Sequence, residues 1–167
     1  MVENEYSDRI KDFIILWGKK YSNKLRITKI YSKNKALFQV GLPAKKKIDY
    51  KPDGAYTLNR KDTVIFEVLD TQVKSKTIAD VIRCIFNQTI TDLIIITKTK
   101  KSFKTSLDTS DVLLELFDDF LTPVGNSEGK KQTPLNIHFI KITETESKNK
   151  KTMEKRFNAK LPKSFSN

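Results

Sequence analysis

The sequence predicts an α/β protein with a mixed central β-sheet flanked by helices. Residues 63–69 and 92–97 carry apolar side chains on both faces, a pattern typical of strands that are buried on both sides. Between these segments, apolar residues recur at the spacing of one helix face, at Ile78, Val81, Ile82 and Ile85. A strand, a helix and a second strand in this order predict a right-handed crossover between parallel strands.

The first part of the chain predicts a helix followed by strands. The helix is indicated by one apolar face, which is formed by Tyr6, Ile10, Phe13, Ile14 and Trp17. Gly18 and the polar residues up to position 23 are expected to end this helix. Strands are predicted over residues 25–31, 36–40 and 55–58. Residues 44–51 are predicted to form a basic loop ahead of the last of these strands.

The second half of the chain predicts one further helix and one further strand. Residues 110–121 carry apolar side chains on one side of a helix, and Asp108 or Ser110 is expected to cap its start. Residues 135–142 predict the final strand of the sheet.

The length of 167 residues suits a single domain with one core, followed by an extension of different composition. From Glu144 onward the sequence is polar and rich in lysine. We therefore divide the chain into an α/β domain of residues 1–143 and a basic C-terminal extension of residues 144–167. The extension is expected to be helical or partly disordered.

The chain is strongly basic, with 32 Lys and Arg residues against 20 Asp and Glu residues and a formal net charge of +12. The lysines occur in runs, at residues 45–47, 98–101 and 148–151. Such a surface favours a polyanionic partner, because each phosphate that it neutralises releases condensed counterions. A lysine-biased surface that is merely solvated is the other explanation.

Membrane and secretory signals are missing from the sequence. No apolar run approaches the roughly 18–20 residues that cross a bilayer, so no membrane partner is expected. The acidic, polar start of the chain does not resemble a secretory signal. Cys84 is the only cysteine, so no internal disulfide can form. We expect a cytoplasmic protein, associated with the nucleoid if DNA is its partner.

The only cysteine and the only histidine are expected to have structural roles. Cys84 and His138 cannot build a usual structural zinc site, which needs four ligands. Cys84 has apolar neighbours in a predicted helix, which favours a core thiol. His138 lies in an apolar strand, which favours a buried structural role.

Two acidic residues are the candidates for chemistry. Glu67 stands inside the apolar strand at residues 63–69, and Asp53 precedes it in Pro52-Asp53-Gly54 by one strand and one turn. A buried carboxylate is normally paired, protonated or bound to a metal, because burying it alone costs several kcal/mol. A hairpin would bring both carboxylates to the same end of the sheet, where they would suit Mg²⁺. Each residue alone has an ordinary explanation, as a glutamate paired with lysine at a strand end and as a common turn.

At these positions the chain resembles the PD-(D/E)XK nuclease superfamily, which includes many restriction enzymes and archaeal Holliday junction resolvases. The resemblance covers roughly residues 1–100. It is carried by Pro52-Asp53, the strand of residues 64–68 that contains Glu67, the helix of residues 77–86, the strand of residues 93–97 and a helix in front over residues 1–17.

The resemblance implies a restriction endonuclease-like core and a divalent metal, Mg²⁺ or Mn²⁺. Asp53 and Glu67 would hold this metal, which polarises the scissile phosphate and lowers the pKa of an attacking water. Family members often add a carboxylate from the first helix, and Glu5 or Glu3 would serve here.

The chain departs from the family pattern at Leu69, which occupies the position of the motif lysine on the same strand face as Glu67. A leucine can neither orient a water nor stabilise negative charge. One explanation is that Lys74 or Lys76 supplies the cation from the start of the following helix.

Two further explanations stay open. Asp70 and Gln72 would form the acid-x-glutamine pair that some family members use, with Asp70 as a further metal ligand. Strand alternation places these two residues opposite Glu67 unless a bulge intervenes. Alternatively, the fold retains binding and has lost cleavage.

Lysines near these acidic residues are expected to contact the phosphate backbone of DNA, which positions the ligand without reading its sequence. They are Lys45, Lys46, Lys47, Lys74, Lys76, Lys98, Lys100 and Lys101. Ser75 or Thr77 is expected to cap the helix after Glu67, and its amino end would favour a phosphate.

The sequence therefore predicts a metal-dependent DNA endonuclease with a degenerate PD-(D/E)XK site, in which Gln72, Lys74 or Lys76 orients the water. A homodimer is expected because duplex cleavage requires two sites. The alternative is a catalytically inactive nucleic-acid-binding protein that retains the nuclease fold.

Overall fold

A computed structural model of the chain describes residues 5–31, 38–41, 47–87, 89–121 and 135–165. Its elements follow the described chain in the order α1 (Glu5–Leu25), β1 (Ile27–Tyr31), β2 (Phe38–Gly41), β3 (Lys47–Tyr50), β4 (Gly54–Leu58), β5 (Asp62–Leu69), α2 (Val73–Ile85), β6 (Ile90–Thr97), α3 (Lys100–Leu121), β7 (Asn136–Lys141), α4 (Glu144–Ser147) and α5 (Lys150–Phe165).

The main sheet contains five strands in the spatial order β1-β4-β5-β6-β7. The first three of these pair antiparallel, whereas β5, β6 and β7 run parallel. The predicted α/β class with a mixed sheet and flanking helices is therefore confirmed. Part of the predicted basic loop is wrong, because residues 47–50 form β3 and pair antiparallel with β2 in a separate hairpin.

Helices cover both faces of the sheet, and β5 contributes to the core on each side. Val64, Phe66 and Val68 join the core beneath α1 and α5, whereas Ile65 and Leu69 join the core beneath α2 and α3. Successive side chains of a strand point to opposite faces, so a continuously apolar strand requires helices on both sides. Among the helices that the structure describes, none is both long and apolar enough to cross a membrane.

The first helix is longer than predicted, because it passes through Gly18 and ends at Leu25. A Cβ atom at Gly18 would lie 2.7 Å from Cε1 of Tyr56 on β4. The hydroxyl of Tyr56 also donates a hydrogen bond to the carbonyl oxygen of Ile14. Gly18 therefore allows α1 to pack closely on the sheet, and the helix end predicted over residues 18–23 is wrong, since the helix continues to Leu25.

Helix α2 begins earlier than predicted, at Val73. Gln72 precedes it in the left-handed region, with φ of 52°, and makes no side-chain capping hydrogen bond. Ser75 and Thr77 lie inside the helix, so the predicted caps are wrong. The hydroxyl of Thr77 donates to the carbonyl oxygen of Val73 at 2.7 Å, because a threonine near the helix start can bond backwards instead of capping.

Helix α3 also begins earlier than predicted, at Lys100. Thr99 Oγ1 accepts a hydrogen bond from the backbone N–H of Ser102 at 3.0 Å and so satisfies one of the free donors of the first turn. Asp108 and Ser110, the predicted caps, lie inside the helix. The predicted start is wrong, because Thr99 provides a cap well before these residues.

Residues 150–165 form helix α5. Met153, Phe157 and Leu161 are buried and join the core beneath α1. Trp17 Nε1 donates a hydrogen bond to Asn158 Oδ1 at 2.9 Å. An apolar stripe with a spacing of four residues is sufficient to anchor this otherwise lysine-rich helix.

Replacing Phe157 by alanine should destabilise the protein by about 3–5 kcal/mol, because it leaves a cavity in the core. Phe157 is fully buried, and its ring centroid lies 4.9 Å from that of Phe13 and 5.7 Å from that of Trp17. Urea unfolding measures the loss. The control Val112→Ala, at a residue that is 63% exposed on α3, should cost less than about 0.5 kcal/mol. Equal small losses in both variants would show that α5 does not belong to the core.

Candidate functional site

The register of β4 and β5 brings Asp53 and Glu67 together. Gly54 pairs with Phe66 across the hairpin, so the residue before Gly54 lies beside the residue after Phe66. Asp53 Oδ2 accepts the backbone N–H of Val68 at 2.8 Å. A hydrogen bond between the carboxyl groups of Asp53 and Glu67 contributes to raising the pKa of Glu67. The two acidic residues predicted to form the site therefore do meet at one end of the sheet.

Helix α1 passes unusually close to this end of β4. A Cβ atom at Gly54 would lie 2.9 Å from Cγ2 of Ile14, so a larger residue would push the helix away. One turn earlier on α1 stands Lys11, whose Nζ lies 3.3 Å from Asp53 Oδ1. The close approach at Gly54 therefore places a cation beside the acidic pair.

A third carboxylate reaches the site from α2. Asp80 is 5% exposed, and its charge contributes to raising the pKa of Glu67. Arg83 lies one turn later on the same helix, with Nη1 3.3 Å from Asp80 Oδ1. The sequence contains a signal for this residue, because Asp80 falls on the apolar face of α2 together with Val81 and Cys84.

Tyr50 connects the β2–β3 hairpin to the acidic residues. It is 3% exposed, and its hydroxyl donates a hydrogen bond to Glu67 Oε1. The guanidinium carbon of Arg83 lies 5.3 Å from the centroid of the Tyr50 ring, within cation–π range. Tyr50 therefore contacts both Glu67 and Arg83.

Burial raises the pKa values of two acidic residues in the site. Burial raises the pKa of Glu67 well above its ordinary value, and the charges of Asp80 and Asp53 raise it further, whereas the Tyr50 hydrogen bond lowers it. Burial also raises the pKa of Asp80 to about 7, an effect that Arg83 partly offsets. Such raised values within one cleft are typical of functional sites.

The acidic residues line a cleft with a volume of about 560 Å³ between the first half of α1, the end of β5 and one side of α2. Its described lining residues are Ser7, Asp8, Lys11, Asp53, Glu67, Val68, Leu69, Asp70, Thr71, Lys76, Asp80 and Arg83. The cleft therefore combines carboxylates with three cationic side chains.

Several predicted site residues lie at or near this cleft. Asp70 lines it just after the end of β5, where Lys98 Nζ lies 3.3 Å from Asp70 Oδ1. Lys76 also lines it, whereas Gln72 and Lys74 are exposed and are not among its lining residues. Leu69 is only 1% exposed and contributes its side chain to the core beneath α2 and α3.

The carboxylate that the first helix contributes to the cleft is not one of the two predicted ones. Glu5 is 86% exposed at its side chain and lies 3.6 Å from Arg9, and Asp8 lines the cleft in its place. Glu3 lies outside the described residues. Helix periodicity explains the difference, because Ser7, Asp8 and Lys11 share one face of α1.

The predicted nucleic-acid contacts are distributed unevenly over the structure. Lys100 and Lys101 are exposed at the start of α3. Lys98 Nζ lies 2.9 Å from Glu144 Oε2 as well as near Asp70, so it bridges two carboxylates. Lys45 and Lys46 lie outside the described residues, and Lys47 is described only as part of strand β3.

The lone cysteine and the lone histidine are not among the described residues that line the cleft. Cys84 is fully buried on α2, as its apolar neighbours predict. His138 is half-buried, whereas a buried histidine was predicted. Its Nε2 lies 3.0 Å from Asp92 Oδ1, because the strand pairing of β6 and β7 places these side chains on one face.

Within the described parts of the chain, no three His, Cys, Asp or Glu side chains are arranged so that they could together hold a metal ion. The cleft offers instead a pair of adjacent carboxylates, Asp53 and Glu67. This donor set is compatible with Mg²⁺, which typically takes one or two carboxylates and completes its shell with waters and phosphate oxygens.

No protein-family model, no curated protein and no solved structure matches this chain.

Replacing Asp80 by asparagine should remove a pH-dependent cost to stability. The pKa of Asp80 is about 7 in the folded protein, against 3.8 in the unfolded chain. Between these two pH values the unfolded chain has released the proton that the folded protein still holds. The free energy of unfolding of wild type therefore falls as pH rises from about 3.8 to 7. The unfolding free energy of Asp80→Asn relative to wild type should rise by on the order of 3–4 kcal/mol between pH 4 and pH 7.

Urea unfolding at several pH values measures this difference. The control Asp111→Asn, at an exposed position on α3, should differ from wild type by a constant amount over the same range. A difference for Asp80→Asn that is equally independent of pH would contradict the raised pKa of Asp80.

Proposed function

We propose that this chain is a metal-dependent DNA endonuclease with a restriction endonuclease-like core and a degenerate PD-(D/E)XK site. One observation carries the proposal: Asp53 and Glu67 lie side by side in a cleft that also contains Lys11. Paired carboxylates next to a cation are the groups that phosphodiester hydrolysis with a divalent metal requires.

The order of elements supports the proposed core. Helix α1 stands in front, Asp53 immediately precedes β4, and Glu67 lies on β5. Helix α2 follows, and β6 then runs parallel to β5. This is the same order of helix, acidic residue, acidic strand, helix and strand on which the resemblance rests.

Asp53 and Glu67 would hold the metal. When bound, Mg²⁺ or Mn²⁺ supplies a Lewis acid for the scissile phosphate and lowers the pKa of a bound water. The mutual repulsion that raises the pKa of Glu67 is relieved when a cation joins the pair, because opposite charge favours the ionised carboxylates. The hydrogen bonds from Tyr50 and Val68 hold both carboxyl groups in place.

Lys11 would perform the role of the missing motif lysine. Leu69 is buried in the core and carries no charge, whereas Lys11 Nζ lies 3.3 Å from Asp53 Oδ1. From this position the ammonium group can stabilise negative charge that develops on the phosphate oxygens. Lys76 also lines the cleft, but the structure describes Lys11 in direct contact with a proposed metal ligand.

Exposed lysines around the cleft would bind the DNA backbone. Lys74 and Lys76 lie at the start of α2, and Lys100 and Lys101 lie at the start of α3. Contacts of this kind position the substrate independently of its sequence. Cleavage of both strands of a duplex needs two such sites, so the proposal includes a second copy of the chain.

Binding without cleavage is the second candidate function, and Leu69 at the lysine position favours it. In that case the ion pair between Lys11 and Asp53 would neutralise the carboxylate permanently, in place of a metal. Cleavage assays and metal-binding measurements separate the two functions.

In a cleavage assay with Mg²⁺ or Mn²⁺, wild type should cut supercoiled plasmid or branched DNA. Asp53→Asn and Glu67→Gln should show no cleavage above background, because each removes a metal-binding carboxylate. Lys11→Gln should lower kcat by about 100-fold to 1,000-fold, the usual loss for one preorganised electrostatic group. Lys19→Gln, an exposed lysine further along α1, is the matched control and should retain full activity.

Binding of the same DNA should persist in the Asp53 and Glu67 variants. A wild-type protein that binds DNA but never cuts any of these substrates would support the second candidate function. Cleavage that survives both carboxylate substitutions would reject the proposed site.

Metal binding should be visible without any substrate. At pH 8 a divalent cation that binds only the folded state should raise the melting temperature, since the gain in stability grows with metal concentration. At 100 times the dissociation constant this gain is about 2.7 kcal/mol, or roughly 5–10 °C for a chain of this size. Thermal unfolding with increasing Mg²⁺ and Mn²⁺ measures it, and Glu67→Gln should abolish the increase.

The control for this experiment is Glu115→Gln, at an exposed position on α3. It should retain the full increase in melting temperature. An equal increase for Glu67→Gln would show that the metal binds elsewhere on the protein.

A further inference from the structure

Three of the described helices carry adjacent or nearly adjacent lysines in their first turn and no acidic residue there. The lysines are Lys74 and Lys76 in α2, Lys100 and Lys101 in α3, and Lys150 and Lys151 in α5. The first turns of α1 and α4 carry acidic residues instead. The partial positive charge at a helix start disfavours lysine, so these six residues oppose the local electrostatics of folding.

The topology of the sheet places these lysines along one edge. Helices α2, α3 and α4 follow the ends of β5, β6 and β7, which run parallel and neighbour each other in this order. The carboxyl ends of parallel strands lie at the same edge of a sheet. This edge also contains Glu67 and Asp70, which line the cleft.

Contacts between side chains join the start of α5 to this edge. Arg9 on α1 donates to Glu144 Oε1 at 2.5 Å and to Ser147 Oγ at 3.0 Å. Lys98, just after the end of β6, bridges Glu144 and Asp70. The turn between α4 and α5 is therefore held against α1 and against the ends of the parallel strands.

The acidic residues of α4 are engaged with other cations. Glu144 pairs with Arg9 and Lys98, and Glu146 pairs with Arg156 at 2.6 Å. Lys148, Lys150 and Lys151 are exposed at the start of α5 and just before it. Lys148 and Lys150 line a pocket together with Arg9 and Asp12 of α1, so one carboxylate lies among these cations.

We propose that Lys148, Lys150 and Lys151 extend the basic edge of the sheet into a ridge that binds the phosphate backbone of DNA bound in the cleft. The ridge is defined as Lys74, Lys76, Lys100, Lys101, Lys148, Lys150 and Lys151. This inference rests on the proposed function, because it names the surface on which the substrate of that site lies.

A polyanionic partner accounts for lysines in positions that folding disfavours. A merely solvated surface would gain stability from acidic residues at the same helix starts, such as those that α1 and α4 carry. Each phosphate that a ridge lysine neutralises releases counterions, so the ridge contributes to affinity and not to sequence preference.

The salt dependence of DNA binding tests the ridge. The ridge variant is Lys148→Gln with Lys150→Gln and Lys151→Gln, and the matched control is Lys19→Gln with Lys24→Gln and Lys61→Gln, at exposed positions away from this edge. The probe is a fluorescein-labelled DNA duplex of about one footprint length in metal-free buffer, followed by fluorescence anisotropy. The slope of log affinity against log salt should fall in magnitude by about 2–3 in the ridge variant.

The control variant carries the same change in net charge and should leave the slope nearly unchanged. The ridge variant should also melt at the same temperature as wild type or higher, because three charges near the helix start are gone. Equal slopes for the ridge and control variants, with wild type still binding and cutting DNA, would reject the ridge and leave the proposed function intact. Failure of wild type to bind DNA at low salt would reject both.

Discussion

The pairing register of β4 with β5 is the constraint on which the site depends. Gly54 opposite Phe66 places Asp53 beside Glu67, and the Val68 N–H then binds the Asp53 carboxylate. A shift by one residue would turn the side chains of β5 to the opposite faces and exchange its two cores. Because both cores are closely packed, the register is strongly specified, and the acidic pair is specified with it.

Burying acidic residues at this end of the sheet lowers the free energy of unfolding. Glu67 and Asp80 are buried near each other, and their raised pKa values show that the folded protein holds these groups against their preference for ionisation in water. The structure offsets this cost only in part, with the Tyr50 hydroxyl, Lys11 and Arg83.

Electrostatic contacts unite elements that are distant in the chain around the same edge. Arg9, Glu144, Lys98 and Asp70 form a chain of ion pairs from α1 through α4 to the ends of β6 and β5. Apolar packing of α5 beneath α1 reinforces this arrangement. The C-terminal helix, although lysine-rich, is therefore positioned by the same core that positions the cleft.

Much of the fold could be predicted from local patterns. Strands β5 and β6 were evident because an apolar run on both faces can be satisfied only between two layers of helices. Helix ends were predicted poorly, because Gly18 serves packing against Tyr56. The Thr77 hydroxyl bonds back to Val73 and does not cap α2, whereas Thr99 caps α3. The position of a helix end can thus depend on contacts with residues that lie far away in the sequence.

The sequence by itself determined the α/β class, the basic character and the candidacy of Asp53 and Glu67, since composition and alternation are local properties of the chain. Only the tertiary structure decided that Lys11 and Asp80 join them. Lys11 reaches Asp53 because Gly54 allows α1 to approach, and Asp80 reaches Glu67 because α2 packs back on β5. Contacts between residues distant in sequence follow from packing, which no local pattern records.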